Sequence, residues 1–285
     1  MELGIHLSSY TKNWKDCGFG YMEHAARTGY TAVELPLMNP DTYDTAKAKE
    51  LLKKYHLNCT CGTGVNFMED PSSTDLEIRK KGKERLKKCI DIAAKLETDC
   101  LGGVLYAPWG LKKSRMQAQE NYKIAAESMS EIAEYGKQYG ITISLEILNR
   151  YESYFMNTVA EGQEFLKEIG NQNVKLHFDT FHSYIEETSI KEAIRTGQED
   201  IYHVHLCDNN RCAPGTGAIC WKEVKEGLEE IGYNRYVMVE NFILPNTEAG
   251  METCIWRESG RTVYENAEIA YCFLSNLFKG KIERR

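Results

Sequence analysis

No apolar run in this 285-residue chain is long enough to span a bilayer, so a helical membrane protein is excluded as a reading. The opening Met-Glu-Leu-Gly-Ile-His-Leu-Ser also lacks the basic, apolar and small-residue regions of a signal peptide and reads as a strand. Close cysteine pairs are scarce, with only Cys59 and Cys61 two apart. The 10 cysteines are scattered, without the short repeats of a zinc ribbon or the density of a disulfide scaffold, so a reducing cytoplasm is the expected compartment. Positive charge is in deficit. With 35 Lys and Arg against 42 Asp and Glu, the net charge of −7 repels a phosphate backbone, and neither nucleic acid nor membrane is an expected partner. What remains is globular composition, 42% hydrophobic and 27% charged, with enough apolar material for a sizeable core.

Short β-branched runs alternate with longer helical patterns from end to end, which implies a parallel sheet. Strands are predicted at 4–8, 32–35, 57–61, 100–105, 141–147, 174–179, 201–207 and 236–240. Eight of them in a βα rhythm suggest closure into a (β/α)₈ TIM barrel. No linker or low-complexity stretch interrupts the pattern, so one catalytic domain over 1–285 is expected. Tyr122, Ala125, Met129, Ile132 and Gly136 mark one helical face before Gly140 stops it. A second helix starts near Ser73 and runs through Leu76, Leu86, Ile90 and Ala93. Its Arg79, Lys80, Lys81, Lys83, Arg85, Lys87 and Lys88 read as a solvated face rather than an anion site, because Glu77, Glu84 and Asp91 supply opposite charges. Cys59 and Cys61 share one strand face; inert buried thiols are the better reading than a redox pair.

Side-chain alternation in the last four strands carries the sharpest signal. Ile141, Ile143 and Leu145 should face the helices, leaving Thr142, Ser144 and Glu146 toward the barrel axis. By the same rule Lys175, His177 and Asp179 point inward, as do His203 and His205, and Tyr236, Met238 and Glu240. Glu146, Asp179, His205 and Glu240 therefore end successive strands about one βα unit apart and should converge. Three carboxylates and an imidazole suit one divalent ion, Mn²⁺ first and Mg²⁺ or Co²⁺ next, better than a thiolate-rich zinc site. The bland alternative satisfies each acid separately with a lysine, an arginine or a backbone donor; four matching strand ends weigh against it. His203, deeper on the same face as His205, reads as a hydrogen-bonded core residue rather than a fifth ligand. Trp14 and Trp109 follow the first and fourth strands, where they serve either as an apolar wall for substrate or as core.

At these residues the sequence resembles the D-tagatose and D-psicose 3-epimerases of the xylose-isomerase-like barrels. Glu146-Ile147-Leu148-Asn149-Arg150-Tyr151-Glu152 looks like the family's Glu-Val-Leu-Asn-Arg-Phe-Glu, and Asp179-Thr180-Phe181-His182 matches its Asp-Thr-Phe-His. His205 with Asn210-Arg211, Pro214-Gly215-Thr216-Gly217 and Trp221, then Glu240 with Phe242 and Trp256-Arg257, extend the likeness. The resemblance implies Glu146, Asp179, His205 and Glu240 as ligands of one metal ion, and Glu152, His182 and Arg211 as groups holding a small ketose. It also implies a homodimer or homotetramer. His6 stands where many relatives have tyrosine, Cys207-Asp208 replaces a usual Gly-Glu, and Asn241 replaces a proline. With Trp14 and Trp109, His6 completes the expected substrate contacts.

The chemistry follows from that set. The C3 hydrogen of a ketose is α to its carbonyl, so its removal gives a cis-enediolate, and inversion needs a second proton carrier on the opposite face. Glu146 and Glu240 are the expected pair. The same chemistry shifted to C1 and C2 would make an aldose–ketose or hydroxypyruvate isomerase, a distinction that fold leaves open. An endonuclease-like phosphodiesterase on this barrel would need more metals and a basic face, and a silent sugar-binding protein would not need both glutamates.

Overall fold

In a computed structural model, which describes residues 1–279, eight parallel strands close a barrel in sequence order. They are β1 (Glu2–His6), β2 (Ala32–Pro36), β3 (Asn58–Gly64), β4 (Cys100–Val104), β5 (Thr142–Glu146), β6 (Val174–Asp179), β7 (Ile201–Leu206) and β8 (Tyr236–Val239). The ring closes where Leu3 registers with Val237 and Ile5 with Val239. The helices are α1 (Met22–Thr28), α2 (Thr45–Tyr55), α3 (Leu76–Lys95), α4 (Arg115–Lys137), α5 (Val159–Ile169), α6 (Thr180–Glu186), α7 (Ile190–Gly197), α8 (Trp221–Glu230), α9 (Glu248–Glu252) and α10 (Val263–Leu277). Residues 280–285 of the expected domain lie outside the described residues. Among the described residues no helix is long and apolar enough to cross a membrane.

Local chemistry sets the boundaries. The first strand ends at His6 rather than residue 8, because Leu7–Tyr10 turns into a 3₁₀ helix in which the His6 side chain accepts the Ser8 N–H. The helix expected near Ser73 begins at Leu76, where Asp75 caps the N–H groups of Glu77 and Ile78. Capping boxes start α4 at Ser114 and Gln117, α5 at Thr158 and Glu161, and α10 at Thr262 and Glu265. Gly140 follows α4 at φ +71°, as its stop position predicts.

The apolar core lies between the strands and the surrounding helices. Ile141, Ile143, Leu145, Leu176, Phe178, Val204, Leu206, Val237 and Val239 all belong to it. Cys59 and Cys61 lie on that outer side too. Burial first of all pushes both thiols up, Cys59 to about 12, so neither is poised for redox chemistry. The solvated lysine face holds with one correction: Arg85 is buried, donating to the carbonyls of Gly64, Leu37 and Met38 and pairing with Glu69 at 3.2 Å. Inside the ring the usual filling of branched apolar side chains gives way to a polar layer of Glu34, Thr60, Ser144, His177 and His203. Gly62 makes space for it, since a Cβ there would lie 2.6 Å from Glu34 Oε1, whereas a Cβ on Gly102 would meet His177 Nδ1 at an ordinary 3.4 Å.

Candidate active site

Glu146, Asp179, His205 and Glu240, from the ends of β5 to β8, present ligand atoms that all lie within 4.8 Å of one another. Asp179 divides its carboxylate between two tasks. Oδ1 caps α6 by accepting the N–H groups of Phe181 at 2.6 Å and His182 at 3.2 Å, while Oδ2 is buried without a partner. The Nδ1 of His205 is likewise buried and unpartnered, 3.5 Å from Glu240 Oε1. Burial, with Glu240 and Asp179 close by, pushes the Glu146 carboxyl well above its ordinary range. Burial also acts against the Glu240 charge, but His205, His6 and Arg211 pull that carboxyl down to about 2. Three crowded acids with an orphaned oxygen and an orphaned nitrogen aimed among them fit a divalent cation bound to oxygen and imidazole.

The expected substrate contacts gather beside this cluster. They line a cavity of about 660 Å³ that opens at the C-terminal ends of the strands. His182 Nδ1 accepts the backbone N–H of Asn149 at 3.1 Å, so its Nε2 carries the proton and faces Glu146 Oε1 at 3.7 Å. Glu152 is held by Asn149 Nδ2 at 2.9 Å, Trp109 Nε1 at 2.8 Å and Arg211 at 3.3 Å. Burial pushes its carboxyl up, but His182 and Arg211 keep it below the ordinary range. Arg211 takes φ +62°, a rare conformation for a non-glycine, and stacks its guanidinium 3.8 Å above the Phe181 ring. Both tryptophans line the cavity rather than the core, Trp14 bonded through Nε1 to Glu252 Oε2 at 2.6 Å. His6 also lines it, and because Nδ1 accepts from Ser8 its proton sits on Nε2.

These observations agree with comparisons to known proteins. A family model described as the xylose isomerase-like TIM barrel matches residues 22–259. The chain belongs to that family. It is 33% identical to a D-psicose 3-epimerase of Ruminiclostridium cellulolyticum over 90% of this chain and 89% of the relative. It is 32% identical to an L-ribulose 3-epimerase of a Methylomonas species, over 90% of this chain and 91% of that one. A crystal structure of a D-psicose 3-epimerase in the presence of D-fructose superposes with a TM-score of 0.93 at 30% identity, covering 98% of this chain and all of the other. The chain is thus an enzyme of the isomerase class, with ketose 3-epimerases as its relatives.

Two of the departures from the family pattern, Asp208 and Asn241, have local explanations. Asp208 is fully buried and organises the loop after β7: it accepts from Gly215 N at 2.9 Å, Ile219 N at 3.1 Å and Trp221 Nε1 at 3.0 Å. The Gly215-Thr216-Gly217 turn therefore wraps a carboxylate of the protein itself, which explains its shape. Asn241 makes two bonds that proline lacks, N–H to Ser9 Oγ and Nδ2 to the Cys212 carbonyl, each 2.9 Å. The residue missed in the sequence is Glu34. Its Oε2 meets His203 Nε2 at 2.7 Å and His205 Nε2 at 2.8 Å directly beneath the cluster. Alternation applied to β2, with Val33 and Leu35 facing the helices, would have turned Glu34 inward.

Proposed function

We propose that the protein epimerises a free ketose at C3, using one divalent metal ion and proton transfer by Glu146 and Glu240. The observation that carries this reading is the placement of those glutamates at the end of β5 and directly after β8, flanking Asp179 and His205 within one cluster of possible ligands. Bound there, a divalent cation would supply Lewis-acid polarisation of the substrate carbonyl. The protein's own groups do the rest. One glutamate takes the C3 proton and the other delivers a proton to the opposite face, the roles exchanging with the direction of reaction. His182 directs an N–H donor toward the same space, while Glu152 and Arg211 form a paired acceptor and donor for substrate hydroxyls.

The charge of the cavity favours a free sugar over a phosphorylated one. Its lining carries five glutamates, Glu34, Glu146, Glu152, Glu240 and Glu252, against Arg85 and Arg211, and each arginine already faces a carboxylate. Even with a divalent cation bound, the five carboxylates leave the lining net negative, which disfavours a phosphate dianion. Manganese as the ion, a homodimer or homotetramer, and a cytoplasmic setting complete the proposal; the ten free cysteines suit a reducing compartment.

Incubation with free and phosphorylated ketoses in D₂O tests it. Solvent deuterium should appear at C3 of a free ketohexose or ketopentose together with its C3 epimer. Deuterium confined to C1, with aldose formed, would replace epimerisation by aldose–ketose isomerisation. Chelation should abolish turnover, and Mn²⁺ or Co²⁺ should restore it better than the larger Ca²⁺. Full activity in verified metal-free protein would overturn the metal-dependent reading.

A further inference from the structure

We infer that Glu34 is a positioning residue which sets metal affinity by holding the proton of His205 on Nε2, so that Nδ1 faces the ion as a lone pair. The inference rests on the proposed four-residue metal set and extends it to the opposite side of the barrel.

With an ion at the cluster, the geometry leaves His205 one arrangement that serves both the ion and Glu34. Nδ1 points into the carboxylate cluster, 3.5 Å from Glu240 Oε1, and is the ring atom available to a metal. The other nitrogen, Nε2, lies 2.8 Å from Glu34 Oε2, and His203 Nε2 reaches the same oxygen at 2.7 Å. An ionised carboxylate oxygen has two lone pairs and accepts from both rings. A neutral imidazole carries one proton; if that proton is on Nε2, the lone pair of Nδ1 faces the cluster. A metal-bound histidine commonly gains basicity and orientation from a carboxylate on its second nitrogen. Here that carboxylate comes from β2, while the four ligands come from β5 to β8. Glu34 is fully buried, and the nearby glycine at 62 leaves room for its second oxygen.

Mn²⁺ binding, followed by the electron paramagnetic resonance of free Mn²⁺, tests this without reference to turnover. Glu34→Gln keeps the volume and an acceptor oxygen but removes the negative charge that makes the Nε2 proton of His205 favourable and its Nδ1 basic, so the dissociation constant should rise about 10- to 100-fold. His203→Gln disturbs the same buried layer yet leaves Glu34 to His205, so its Mn²⁺ affinity should stay within about threefold of the parent. Equal losses in the two variants, or an unchanged affinity in Glu34→Gln, would overturn the inference. Should Glu34→Gln fail to fold, nitrogen-15 spectra of the parent protein loaded with diamagnetic Zn²⁺ decide directly. The proton of His205 is expected on Nε2, and a bare Nε2 would be the contrary result. Two ions bound per parent chain, one of them lost in Glu34→Gln, would make Glu34 a ligand of a second ion instead. A parent protein that binds no Mn²⁺ at all would refute the metal set itself, a separate failure from that of Glu34.

Discussion

The two halves of the barrel divide the work unequally. Each of β5 to β8 leads to one member of the acid and histidine cluster, and the loops beyond them add Glu152, His182 and Arg211. The first four strands contribute Glu34 and His6, while glycines occupy interior positions 4, 62 and 102. Their loops bring Trp14, Met38, Val65, Phe67 and Trp109 to the cavity. One half therefore concentrates charge, and the other makes room for it and offers an apolar surface. Gly102 faces the large imidazoles at 177 and 203 across the ring, where a Cβ would reach them only at ordinary contact distance.

The largest effect should come from removing basicity in the charged half. Glu146→Gln and Glu240→Gln each keep a ligating oxygen and should retain some metal, while inversion falls by about 10²- to 10⁴-fold. Each variant should still exchange the C3 hydrogen of one epimer with D₂O without inverting it, and the two should prefer opposite epimers. Near-normal inversion by either metal-loaded variant would reduce these glutamates to ligands and dissolve the division between the halves.

An intermediate effect tests whether the first half is built for space. A Cβ on Gly62 would stand 2.6 Å from the buried Glu34 carboxylate and 3.1 Å from His6 Nε2, so Gly62→Ala should lower stability by about 1–3 kcal/mol. On Gly102 the nearest atoms are 3.4 and 3.5 Å away, ordinary contact, and Gly102→Ala should change stability by less than about 0.5 kcal/mol. Urea midpoints read both. Equal costs would mean that the glycines answer to backbone geometry rather than to the side chains opposite.

The smallest change sharpens the comparison at the cavity wall. Trp109→Phe removes the 2.8 Å bond to Glu152 but leaves Asn149 and Arg211 in place, so KM should rise about fivefold, near 1 kcal/mol, with kcat little altered. A fall in kcat with KM unchanged would instead give the apolar half a share in the chemistry.

What the sequence revealed follows the same boundary. In β5 to β8 polar residues alternate with strongly apolar ones, so inward and outward faces separate on the page, and the convergence of Glu146, Asp179, His205 and Glu240 could be anticipated from one strand at a time. In β2 the alternation of Val33 and Leu35 turns Glu34 inward but says nothing of what it meets there, because its partners at 203 and 205 lie about 170 residues away. Asp208 was visible only as a departure from the family pattern; its place at the centre of a loop depends on backbone N–H groups that no side-chain pattern encodes. Arg85 was misread for a related reason. Helical spacing placed it among lysines, but the carbonyls it bonds belong to the ends of β2 and β3.

Asp179 has a consequence best stated in terms of entropy. Because Oδ1 is fixed by the first N–H groups of α6, the rotamer of this side chain is chosen when the helix forms and not when an ion arrives. Freezing a free carboxylate at the moment of capture would oppose binding through lost conformational freedom. Here that loss belongs to folding, and the unpartnered Oδ2 waits in position. The first turn of a seven-residue helix thus makes one member of the proposed metal set rigid in advance, and carries His182 with it.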